Sequence, residues 1–114
     1  MVLADRIAAL VELGRELLGA GDAFDALATW LRAALRHGLT YRGLAAEALN
    51  SALSAAWHAE LFEVCAALLA RVGQPGSAED VLRLVGAIAW ASTPDNTGQA
   101  DRMLDIVLNG LRGR

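Results

Sequence analysis

Residues 78–91 read AEDVLRLVGAIAWA and residues 99–112 read QADRMLDIVLNGLR, with a polar, proline-containing run from Ser92 to Gly98 between them. At 100° per residue the first stretch gathers Glu79, Asp80 and Arg83 in one sector and leaves the rest of its circumference to Val81, Leu82, Leu84, Val85, Gly86, Ile88 and Ala89. The second collects Asp101, Arg102, Asp105, Asn109 and Arg112 on a narrow stripe, against Met103, Leu104, Ile106, Val107, Leu108 and Leu111 elsewhere. Each apolar arc spans roughly 200°, twice what one amphipathic face requires. Each helix therefore has two faces to cover, one fitting the domain's own core and the other a second subunit, as in a four-helix interface with two-fold symmetry. The expected seam of this homodimer is Leu82, Val85, Gly86, Ala89, Met103, Ile106, Val107 and Gly110, the glycines letting backbones approach. Periodicity alone leaves open which arc faces the partner.

Working outward, Gly and Pro punctuate the remaining sequence, and between the marks apolar residues recur at helical spacing. The reading is an all-α bundle of about six helices in one domain over residues 1–114, at about 3–18, 23–37, 41–49, 51–71, 78–91 and 98–111. Gly19-Ala20-Gly21 stops the first helix, and Asp22 is a natural N-cap for the second. Gly38, behind His37, is expected to end that helix, with Thr40 capping a short third one. Val72-Gly73-Gln74-Pro75-Gly76 is a strong turn signal, and Ser77 with Asp80 predicts a capping box.

Hydrophobic residues make up 55% of the 114 before the 11 Gly are counted, against about 45–50% with Gly in an ordinary soluble domain. Two Pro and 5% aromatics exclude disordered, collagenous and all-β classes. The formal net charge is −3 and every basic residue is Arg, a poor balance for tracking phosphates, so no nucleic-acid partner is expected of this sequence. Cys65 stands alone, which rules out an internal disulfide framework and fits a reducing, cytoplasmic setting. The longest charge-free stretch, Ala48 to Ala59, carries Asn50, Ser51, Ser54 and His58, so no membrane span is expected.

No signature of phosphate binding, metal ligation or nucleophilic catalysis occurs, so no catalytic residue, cofactor or metal is assigned. Within 51–71, Ser54, His58, Phe62, Cys65 and Leu69 share one stripe, beside the purely apolar Trp57, Leu61, Val64 and Leu68. An inward stripe carrying a hydroxyl, an imidazole and a thiol suits the wall of a cavity between helices, with Trp30, Ala33, Ala34 and His37 as the matching flank. The candidate ligand-binding set is thus Trp30, Ala34, His37, Ser54, Trp57, His58, Phe62 and Cys65. The alternative is that His58 and Cys65 are satisfied core residues, that Trp30 and Trp57 fill volume left by abundant Ala, and that His37 caps a helix C-terminus.

The segments VLRLVGAIA (81–89) and ADRMLDIVLNGLR (100–112) resemble the end of the regulatory domain of TetR-family transcriptional regulators. Leu3-Ala4-Asp5-Arg6, LVELGRELL (10–18), ATWLR (28–32) and TYRGLAA (40–46) are similar to the same family's ligand-binding helices. The resemblance implies an all-helical body that binds a small apolar or amphipathic effector and dimerises through its last two helices, here without the helix-turn-helix DNA-binding head that would precede it. A natural headless relative, an excised domain and an engineered piece all fit that reading, and the Val72–Ala78 connection is shorter than is typical of the family. The alternative function is a purely structural or engineered dimerisation module without a ligand. An enzymatic reading would require a charged partner to activate His58 or Cys65, and no carboxylate lies on their stripe.

Overall fold

The computed structural model describes residues 2–19, 21–48, 52–74, 76–92 and 97–112, and the side chains of 7–19, 21–39, 59–74, 76–92 and 98–112. These residues form five helices: α1 (Val2–Leu17), α2 (Ala23–Ala48), α3 (Ala52–Arg71), α4 (Ala78–Ala91) and α5 (Thr97–Arg112). The all-α class read from the sequence is the class observed. α2 is central and packs on all four other helices, while α1 also leans on α3, and α4 on α3 and α5.

Helix ends fall where backbone donors and acceptors find partners. The Asp22 carboxylate accepts the Asp25 N–H at 2.8 Å, so the expected N-cap of α2 is in place. α3 closes in a Schellman turn, with the Gln74 N–H donating to the Leu69 carbonyl at 2.9 Å and the Gly73 N–H to the Ala70 carbonyl at 3.1 Å. Gly73 (φ 81°) and Gly76 (φ 104°) take the left-handed conformations this connection needs, which a Cβ would strain. α4 starts at Ala78, as expected, but the Ser77 side chain makes no capping hydrogen bond. Its backbone sits at φ −97°, ψ 2° rather than in the extended region that aims a cap hydroxyl at the first turn, so the expected capping box does not form.

The largest departure is at Gly38, where one continuous helix of 26 residues replaces the expected second and third helices. An interior Gly costs a helix only about 1 kcal/mol relative to Ala, and no Pro follows to enforce a stop. Gly38 serves instead as a crossing point: a Cβ there would lie 3.0 Å from the Ala89 Cβ on α4. His37 and Thr40 consequently lie inside α2 rather than at a helix end. A second close approach occurs at Gly14, where a Cβ would collide with Val64 and lie 2.8 Å from the Trp30 indole nitrogen. The core around these crossings is built on Leu27, Trp30, Leu31 and Leu35 of α2, with Leu68 and Leu69 of α3 and Leu104 of α5 fully enclosed beside them.

Candidate functional site

On the inner side of α2 and α3, the expected pocket residues divide. Trp30 is completely buried, and its indole N–H donates to the Leu10 carbonyl of α1 at 2.8 Å. Its polar atom is therefore already used within the bundle. Cys65 is also fully enclosed in the same core. Burial pushes its thiol up from 9.0 to about 12, so at neutral pH it is a protonated, inert group rather than a nucleophile. Ala34 and His37 are half-buried, whereas Phe62 turns outward at 40% exposure. Ser54, Trp57 and His58 belong to α3, and their side chains lie outside the described residues. Thus Trp30 and Cys65 share one closed core, and Phe62 does not join them.

The outer side of α4 and α5 divides as sharply. Val85 and Ala89 are 4% and 3% exposed, taken up by the chain's own core. Leu82, Met103 and Val107 are half-buried at its edge. Left uncovered are Leu84 at 47%, Trp90 at 68% and Ile106 at 71%, with Gly86 and Gly110 opening onto empty space. Of the expected seam, Ile106, Gly86 and Gly110 are free for a partner, whereas Val85 and Ala89 face inward. Trp90 was not among the expected seam residues. It lies four residues after Gly86, hence on the same face, which was the available signal.

Polar groups tie α5 to α2 along one edge. Arg32 reaches Asp105 with both terminal nitrogens, at 3.1 and 3.2 Å, Arg36 pairs with Asp101 at 4.0 Å, and the Arg112 guanidinium lies 4.2 Å from the Phe24 ring centroid. The sequence reading placed Asp101, Asp105 and Arg112 on a polar stripe; two of its acids prove to be ion-pair partners of α2. An open cleft of about 520 Å³ lies at the far end of this edge, lined by Asp22, Phe24, Val72, Gln74, Leu111 and Arg112 among others. The Gln74 amide donates to the Leu111 carbonyl there at 3.2 Å, and Arg71 donates to the carbonyls of Leu17 and Gly21 at 3.2 and 3.4 Å. These bonds satisfy carbonyls at helix ends and in the turn after α1.

Among the described residues, no helix is long and apolar enough to cross a membrane, and no group of three His, Cys, Asp or Glu is placed to hold a metal ion. A family model described as "Transcriptional regulator SbtR-like, C-terminal domain" matches residues 22–113. No curated protein and no solved structure matches the chain.

Proposed function

Since the chain belongs to the family of SbtR-like C-terminal domains of TetR-type transcriptional regulators, we propose that it pairs with a second copy of itself through α4 and α5 and senses a small apolar or amphipathic effector. The observation that carries the pairing is the exposure of three large apolar side chains on α4 and α5: Leu84, Trp90 and Ile106. Burying a side chain of this size stabilises by about 1.5–3 kcal/mol, and a two-fold axis covers each of them twice. Gly86 and Gly110 on the same helices leave room for close backbone approach.

The effector reading rests on family membership together with the polar residues that the sequence of α2 and α3 carries. With Trp30 and Cys65 committed to the core and Phe62 turned outward, the recognition groups proposed for it are His37, Ser54 and His58, with Ala34 and Trp57 as apolar walls. In a complete regulator, an effector favouring one arrangement of these helices would bias the output by its differential affinity for the two states. The test is thermal denaturation with decanoate and with an apolar dye. A ligand at 100 times its Kd raises stability by about 2.7 kcal/mol, and Ala34→Trp should abolish that rise. Unchanged melting with both probes would favour the second reading, a structural dimerisation module. The closed packing of Trp30 against Gly14 and Val64 is the observation that speaks for it.

A further inference from the structure

We infer that Arg32 and Arg36 of α2 are positioning residues for the partner-binding face of α5, although neither belongs to that face. The inference rests on the dimer reading above. Arg36 meets Asp101, Arg32 meets Asp105, and Phe24 meets Arg112. Positions fall on α2 as they rise on α5, so the helices run antiparallel with the three contacts in one register. On α5, residues 101, 105 and 112 project within about 40° of one another at 100° per residue, while Ile106 projects at least about 100° away. The polar edge and the exposed Ile106 are therefore different sides of one rigid helix.

The apolar attachment of α5 does not by itself fix that register. Its fully buried stripe is Ala100, Leu104 and Leu108, and a stripe of one methyl and two similar leucines discriminates weakly between small slides or rolls. Charges at fixed positions discriminate better, because a displaced helix loses its pairs or meets like charge. Arg32 contributes most, its two nitrogens holding the same carboxylate oxygen of Asp105. Any slide or roll of α5 moves Ile106 relative to Trp90 on α4, and a two-fold interface contains that offset twice. The α2–α5 edge thus sets how the outer face is presented, without touching the partner.

The test is sedimentation of the intact chain over a concentration series at about 0.05 M and about 0.5 M salt, where screening lengths differ several-fold. Arg32→Glu sets a glutamate against Asp105 and should weaken the dimer about tenfold at low salt, since each dimer contains the pair twice. The effect should shrink at high salt. The charge-swapped double variant R32D/D105R should recover the wild-type dimer constant. As a control, Arg15→Glu breaks an exposed interhelical pair of the same kind, Arg15 to Glu60 at 3.8 Å between α1 and α3, and should leave the constant unchanged. Circular dichroism verifies that every variant remains helical. An unchanged constant in Arg32→Glu, a swap that fails to recover, or an equal loss in Arg15→Glu overturns the inference and leaves the dimer reading standing. A monomeric wild type overturns both.

Discussion

Trp30 and Trp90 are the same residue in opposite situations. Trp30 is fully enclosed, with its N–H bonded to the Leu10 carbonyl, and with Val64 it leaves no room for a Cβ at position 14. Trp90 is 68% exposed on a helix whose inward residues are already spoken for. The difference teaches that the chain's high apolar content is of two kinds: one part closes a bundle and the other remains uncovered after the bundle has closed. The first kind governs stability and the second governs association, and substitutions should separate them.

The largest contrast is expected between two charges introduced on neighbouring helices. Val85→Glu buries an unpaired carboxylate in the chain's own core, a change that costs at least about 3–5 kcal/mol, and should abolish the cooperative urea transition. Ile106→Glu places the same charge where the side chain is 71% exposed. It should leave a folded monomer with stability changed by no more than about 0.5 kcal/mol. If sedimentation shows Ile106→Glu still dimeric, the outer face is not the interface. Next in size is the tryptophan pair itself. Trp30→Ala should cost about 3–5 kcal/mol in urea denaturation at any protein concentration, whereas Trp90→Ala should act only through the dimer, its loss vanishing on dilution.

Much of this division was legible in the sequence, and its failures have physical causes. The excess apolar arc on α4 and α5 could be read directly, because charges at 79, 80 and 83 and at 101, 102 and 105 mark the polar sectors. Which part of the arc points inward depends on where α2 crosses, and that is fixed by Gly38 against Ala89, a contact between residues 51 positions apart. The same crossing explains why Gly38 read as a stop: sequence shows a residue that weakens a helix, not the neighbour that requires its missing side chain. Ser77 shows the converse. Its residue type matches a capping position, but the backbone angles imposed by the preceding turn disable it. Helical spacing puts Ser54 to Cys65 on one stripe, yet Phe62 and Cys65, three residues apart, end one exposed and the other buried.

The closed region can be probed by proton linkage at Cys65. Its thiol titrates near 9.0 when exposed and is pushed up to about 12 by burial, so the folded state holds its proton more tightly than the unfolded state. The stabilising contribution is complete below pH 9 and is lost as pH rises from 9 towards 12, because the unfolded chain ionises first. Between pH 8 and pH 10 this should remove about 1.4 kcal/mol in urea denaturation, and Cys65→Ala should lack that component. Equal pH dependence in the two proteins would mean that the thiol reaches solvent and that the core beside Trp30 opens.

The smallest effect on the fold is expected in the open region, at Gly86. Nothing lies within 4 Å of where its Cβ would be, and the residue is interior to α4, so Gly86→Ala relieves a helix of glycine's backbone entropy without a clash. In the monomeric Ile106→Glu background it should therefore raise stability by about 0.5–1 kcal/mol. In the otherwise unmodified chain the sign of the assembly effect should be opposite. If the partner's backbone approaches at Gly86, the added methyl overpacks a core-like contact at a cost of about 1–3 kcal/mol, and the two-fold axis imposes it on both copies. The expected result is a protomer that melts higher and a dimer that dissociates more readily. A dimer constant that stays the same or tightens would move the closest approach away from Gly86, leaving Trp90 and Ile106 to meet the partner across a wider gap.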